Sequence, residues 1–330
     1  MPWDLIGHEW AVSLLCRHIQ TRHVRHAYLF TGPPGIGKRT LALHYAQALM
    51  CLEPAGDEIA CGRCRACRQV RGTGHPDLHI VTRAEGKSEI AIEQVRELQR
   101  QISLSPLEAG RRVAILADFH EASDGASNAL LKTLEEPAGE TVLILTAPSA
   151  ESVLPTIASR CEVVTLRPVE TEAIETALLK AGASDEQARL LAGLASGRPG
   201  WALEAHNSPP AMEGRQQALT ELRSLLTASR AERFAAAERL QQDDNRTKDA
   251  LETWLSFWRD VLLVAYGAEA RIANVDRRAE VERLAQEIGP RQARQAALAV
   301  ERTLAGLARH ANQRLALETL MLDLPRLRGR

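Results

Sequence analysis

The chain has 330 residues, 45% hydrophobic and 25% charged, which suits a soluble globular protein of two or three domains. No apolar run approaches the roughly 20 residues that span a bilayer, and the opening MPWDLIGHEW carries acids early, unlike a secretory signal. The expected compartment is therefore the cytoplasm. With 41 basic against 42 acidic residues and 4% aromatics, the chain lacks the basic surplus and stacking side chains of a nucleic-acid coat. A protein partner or a small ligand is the first expectation.

Residues 1–166 alternate amphipathic stretches with short apolar runs rich in β-branched residues. The runs are HAYLF (26–30), DLHIV (77–81), RVAIL (112–116), TVLIL (141–145) and EVVTL (162–166). Each is too short for a buried helix and reads as a strand. TLALHYAQALMC and AIEQVRELQRQI lie between them as helices. The pattern predicts an α/β domain with a mostly parallel sheet. After Pro168 the strands stop. VETEAIETALLKAG and DEQARLLAGLASG predict a small helical unit over 167–207. NSPPA (207–211) reads as a linker, because consecutive prolines stop a helix. From 208 to 330 the period is helical throughout. In LALETLMLDL, Leu317, Leu320, Met321 and Leu324 share one face, which is either a core seam or a subunit contact.

One strand-to-helix junction carries chemistry. Gly32-Pro33-Pro34-Gly35-Ile36-Gly37-Lys38 follows HAYLF and opens the next helix, the context of a phosphate-binding loop. Gly32, Gly35 and Gly37 let backbone N–H groups turn toward phosphate oxygens, and Lys38 can reach the terminal phosphates. ATP or ADP is the expected ligand. Hydrolysis further needs Mg²⁺ held by a Ser or Thr after the lysine and by a carboxylate after a second strand. Arg39 occupies the first position, and guanidinium has donors only. Thr40 is one residue late, and one helical step turns a side chain by about 100°. After RVAIL, either Ala117 stands at the metal-binding Asp with Asp118 at the catalytic Glu, or Asp118 is the ligand with Phe119 at the Glu. One carboxylate is missing in either register, so hydrolysis is expected to be weak or absent.

Cys51, Cys61, Cys64 and Cys67 form a module over about 51–70 whose short CxxC spacings suit tetrahedral zinc. Four thiolates close the coordination shell, so the expected role is structural. Arg63, Arg65 and Arg68 are expected to lower the thiol pKa values. Cys16 and Cys161 stand alone and read as core residues.

Together these features resemble AAA+ clamp-loader subunits of bacterial DNA polymerase III. The resemblance runs from Ile6-Gly7 to about Leu324 and is strongest over 26–166. It is carried by SNALLKTLEEPAGETVLILTA (127–147), LPTIASRCEVVTL (154–166), the cysteine module after the first helix of the loop, and WRDVLLVAYGAEARIANVD (258–276). It implies an AAA+ phosphate-loop domain over 1–166, a lid over 167–207 and a helical collar over 208–330. It also implies that Thr146 lies at the sensor-1 position. Arg160, in the Ser159-Arg160-Cys161 motif, would reach the nucleotide of a neighbouring subunit as an arginine finger. Where the motor type carries a sensor-2 arginine, this chain has Gly200, so that arginine is missing or displaced to Arg198.

Arg39, the broken acidic pair and Gly200 make the chain similar to the non-motor, delta-prime type. The implied partners are tau/gamma and delta subunits in a five-membered ring, with the sliding clamp and primer-template DNA met through the complex. The alternatives are a tau/gamma-type ATPase, which would show turnover lost on Lys38→Ala, and a zinc-dependent nucleic-acid binder, whose affinity would fall steeply with salt. Read without the motif, Arg160 is a strand-edge arginine paired to a local carboxylate.

Overall fold

A computed structural model describes residues 3, 5–54, 59–137, 139–268, 272–309 and 311–327. Residues 55–58 of the cysteine module and 269–271 of the stretch 258–276 lie outside the described residues. The chain divides into two compact units, Met1–Ile174 with Gly197–Trp201, and Glu175–Ser196 with Ala202–Arg330.

The first unit contains α1 (Glu9–Gln20), β1 (Ala27–Thr31), α2 (Lys38–Leu49), α3 (Arg65–Arg71), β2 (Leu78–Val81) and α4 (Ile92–Ile102). It continues with β3 (Arg112–Leu116), α5 (Asp124–Glu135), β4 (Thr141–Ala147), α6 (Pro155–Ala158) and β5 (Glu162–Thr165). All five expected strands form one parallel sheet in the order β2-β3-β4-β1-β5. A parallel sheet is covered on both faces, so its central strands β1, β3 and β4 are buried at every position. Tyr28, Phe30, Val113, Ile115, Val142 and Ile144 face one core, with residues of α1 and α2. Ala27, Leu29, Ala114, Leu116, Leu143 and Leu145 face the other, with residues of α4 and α5. β1 is flanked by β4 and β5, with Thr31 opposite both Ala147 and Thr165. The phosphate loop thus leaves the sheet at its C-terminal edge, where open α/β sheets bind ligands.

The unit boundary falls within α7 (Thr171–Lys180) and α9 (Pro199–Asn207), on either side of α8 (Asp185–Ala195). The second unit continues with α10 (Pro209–Thr227), α11 (Arg230–Leu240), α12 (Asp244–Ala265), α13 (Arg278–Ala308) and α14 (Gln313–Asp323). α13 is broken at Gly289, whose φ of 69° precedes Pro290. The core gathers Leu222 and Leu225 of α10, Trp254 and Trp258 of α12, Val281 of α13, and Leu317, Leu320 and Met321 of α14. The face of LALETLMLDL is therefore a core seam.

NSPPA is not a linker. α9 ends at Asn207 and α10 begins at Pro209, leaving Ser208 alone between them. The two prolines stand at the first helical positions, where the missing N–H has no intrahelical partner to lose and the fixed φ already suits a helix.

Candidate nucleotide and metal sites

The phosphate loop is anchored at both ends. The Gly32 N–H donates to Pro148 O at 3.0 Å, and the carbonyl of buried Ile36 pairs with His8 Nε2 at 2.9 Å. Lys38 begins α2 and its side chain is buried. Its Nζ donates to Gly32 O at 2.7 Å and to Pro33 O at 3.1 Å, so the ammonium is bound to the loop's own carbonyls. Burial holds its pKa below the ordinary lysine value, with Asp118 pulling the other way. Arg39 and Thr40 are exposed on the first turn of α2.

The loop also meets the start of α9. Gly35, at φ +76°, accepts the Gly200 N–H on its carbonyl at 2.8 Å. A Cβ on Gly200 would lie 2.8 Å from that oxygen, and a Cβ on Gly35 would lie 3.0 Å from the Trp201 backbone nitrogen. Any side chain at position 200 therefore forces the two segments apart. Arg198 lies with its guanidinium carbon 5.5 Å from the centroid of the Trp201 ring.

The second edge of the site follows β3. The Ala117 N–H donates to Val81 O at 2.9 Å, extending the pairing with β2, and its methyl group is buried. Asp118 takes a left-handed conformation, φ 50° and ψ 48°, and its N–H donates to Thr146 Oγ1 at 2.8 Å. Thr146, buried at the end of β4, thus uses its hydroxyl to fix the turn that exposes Asp118. Phe119 turns back into the core. The sheet edge gathers Gly32, Lys38, Asp118 and Thr146, while Arg160 stands elsewhere, beyond α6.

Arg160 pairs with a carboxylate of its own chain. Its Nη2 donates to Glu135 Oε1 at 2.8 Å and its Nη1 to Thr156 O at 3.0 Å, with the side chain 37% exposed. Cys161 packs against the core beside α5, and burial pushes its thiol up to about 12. The chain after α6 thus puts the cysteine inward and leaves the arginine at the surface. Glu135 was not visible as a partner in the sequence, since 25 residues separate the two.

The four expected metal ligands converge. The sulfurs of Cys51, Cys61, Cys64 and Cys67 all lie within 4.8 Å of one another. A tetrahedron with zinc–sulfur arms of about 2.3 Å has edges of about 3.8 Å, so these residues fit the ion. Backbone N–H groups of Cys61, Cys64 and Cys67 point at the sulfurs of Cys51, Cys61 and Cys64, at 3.4, 3.3 and 3.4 Å. Cys64 also caps α3. Burial opposes ionisation of Cys64, yet the N–H groups of Cys67 and Leu52 outweigh it and draw the thiol down to about 6. Burial raises Cys51 and Cys67. The flanking arginines are thus not what lowers Cys64; Arg65 pairs instead with Glu108 at 3.0 Å. Gln47 of α2 ties the module down by donating to Cys67 O at 2.9 Å.

Asp77 stands just before β2. It is fully buried and accepts the N–H groups of Leu107, Glu108 and Ala109 at 2.8, 2.8 and 2.9 Å. Its role is to cap the turn before β3.

Residues 7–170 match the family model described as DNA polymerase III, delta subunit, and residues 209–325 match DNA polymerase III, delta subunit, C terminal. DNA polymerase III subunit delta′ of Bacillus subtilis is 31% identical over 269 residues, 80% of each chain. The chain belongs to the DNA polymerase III delta′ family. The delta′ subunit of Pseudomonas aeruginosa is 44% identical over 136 residues, 41% of each chain. DNA polymerase III subunit tau of Bacillus subtilis is 32% identical over 171 residues, 52% of this chain but 30% of tau. A solved gamma subunit-related protein of Thermotoga maritima superposes with a TM-score of 0.50 at 17% identity, covering 94% of this chain and 97% of that one. That likeness concerns the fold alone: the delta′ family chain has the AAA+ type of parallel sheet, followed by a helical C-terminal unit. Among the described residues, no helix is long and apolar enough to cross a membrane.

Proposed function

We propose that this delta′ family chain is a non-motor subunit of a clamp loader. It would sit with tau/gamma and delta subunits in a five-membered cytoplasmic ring that loads the sliding clamp on primed DNA. Its domains in that role are the AAA+ domain 1–166, the lid 167–207 and the collar 208–330. Zinc on Cys51, Cys61, Cys64 and Cys67 braces the first of these.

The observation that carries the non-motor reading is the metal side of the site, where Arg39 is exposed at the magnesium-ligand position and Asp118 is flanked by buried Ala117 and Phe119. Lys38 is bonded to Gly32 and Pro33 carbonyls, and Gly200 is seated on the Gly35 carbonyl. ATP or ADP would draw the Lys38 ammonium off those carbonyls and meet the backbone N–H groups of the loop at Gly32, Gly35 and Gly37. Once bound, it would meet Arg39 where a magnesium ligand belongs. Thr40, Asp118 and Thr146 complete the pocket without supplying the missing carboxylate. Catalytic contribution then falls to Arg160, acting in trans. An arginine finger stabilises charge on the transferring phosphoryl group and is worth about 10³–10⁵ in rate.

Two measurements test this. The purified chain, titrated with labelled ATP with and without Mg²⁺, should show no turnover; sustained hydrolysis lost on Lys38→Ala would mark a motor instead. In the reconstituted complex, Arg160→Ala should remove most ATP turnover and leave assembly intact. Unchanged turnover would overturn the finger.

A further inference from the structure

Arg160 is gripped by two helices. Glu135, the last residue of α5, takes its Nη2 at 2.8 Å, and Thr156 of α6 takes its Nη1 through the backbone carbonyl at 3.0 Å. The carbonyl cannot move without its helix. The carboxylate stands at the C-terminal end of α5, which packs against α6. Together they favour one orientation of the guanidinium, and an arginine has five N–H donors, so the fork keeps donors to offer a further anion.

We propose that Glu135 is the positioning residue for Arg160, prearranging the finger before a neighbouring nucleotide meets it. The role rests on the finger reading above. A free arginine side chain must order several torsions at the moment of reaction, and ordering them beforehand raises the rate of the step without tightening nucleotide binding.

The opposite role, withholding Arg160 from the nucleotide, does not suit the exposure. Arg160 is 37% and Glu135 52% exposed, so water screens their attraction. A screened pair is too weak to compete with a polyphosphate for a guanidinium, whose charge-assisted bidentate contacts are stronger. It is strong enough to bias the side chain's rotamers by a factor of about two to five.

The test is steady-state ATP turnover by the complex reconstituted with motor and delta subunits, clamp and primed DNA. Glu135→Ala should lower kcat by about two- to fivefold and leave KM for ATP unchanged. Glu135→Gln keeps an acceptor at the same reach and should restore most of the loss. In an Arg160→Ala background, Glu135→Ala should change nothing further. An unchanged or raised kcat in Glu135→Ala would overturn the role, and so would an equal loss in both backgrounds. If Arg160→Ala lowers turnover and Glu135→Ala does not, the positioning role alone fails. If Arg160→Ala has no effect, the finger fails and takes this role with it.

Discussion

Asp77 shows how a buried charge is made to serve a turn. Three N–H donors and the Arg112 guanidinium, 3.8 Å away, surround a carboxylate with no exposed surface. Burial alone would raise its pKa; the three N–H groups and Arg112 outweigh burial and hold it below the ordinary aspartate value. A folded pKa below the unfolded one adds stability above the unfolded value of about 3.9, and that stability is lost as pH falls through the folded pKa. Asp77→Asn should therefore be less stable at neutral pH and lose less of its stability between about pH 5 and pH 2 than the parent, as urea titrations across that range would reveal. An equally steep acid loss in both proteins would rule out Asp77 as its source. Gly200 makes a second residue-scale case. With Cβ forced to 2.8 Å from Gly35 O, Gly200→Ala should cost about 1–3 kcal/mol through the displaced turn, read as a lowered urea midpoint. The sequence marked Gly200 as an absent arginine; it could not reveal that the backbone of α9 sits on the loop, because that contact depends on packing rather than on spacing.

At the scale of elements, what was legible followed from period and composition. The central strands are short apolar runs because both sheet faces are covered, and the cysteine spacings report ligand geometry directly. What was illegible depended on position within an element. Pro209-Pro210 stops one helix and opens the next, and composition does not say which. Arg233 is the sharpest instance, reading as one more charged residue of a polar helix. It is buried, and its Nε donates to Leu225 O at 2.9 Å, near the end of α10. Its Nη1 donates to Met321 O and Leu324 O at 2.8 and 2.9 Å, and its Nη2 to Pro325 O at 2.8 Å, at the end of α14. Two helix C-termini, each carrying partial negative charge and unpaired carbonyls, thus share one cation. Arg233→Met should destabilise the protein by about 3–5 kcal/mol, since it leaves several buried carbonyls without donors. Arg233→Lys should recover part, having three donors for four acceptors. Urea unfolding of the three proteins orders them; a methionine variant as stable as the parent would show that water replaces the guanidinium.

Across the whole molecule, the two units have separate apolar cores, one pair about the sheet and one among the C-terminal helices. Only the first holds the cysteine module, which is small and has its own minor cluster of Ala66, Cys64 and Cys67. A segment with so little apolar surface gains its order from whatever the sulfurs bind, and structural zinc contributes folding free energy outright. Cys64 is already drawn down to about 6 while burial raises Cys51 and Cys67, so a bound cation would ionise the raised thiols and release protons. Zinc should therefore be found at about one ion per chain and leave on acidification. Cys64→Ser should weaken it while keeping the cap of α3, since a serine hydroxyl can accept the Cys67 N–H as the sulfur does. The unfolding expected of this variant is unequal. The midpoint reported by Trp3, packed in the sheet core, should fall, while that reported by Trp254 and Trp258, buried among the C-terminal helices, should stay. Single-tryptophan variants followed by fluorescence in urea, with and without a chelator, separate the two. Arg233→Met should move the second signal and spare the first. If zinc removal lowers both midpoints equally, the units unfold as one cooperative body, and the metal stabilises the whole chain rather than its own domain.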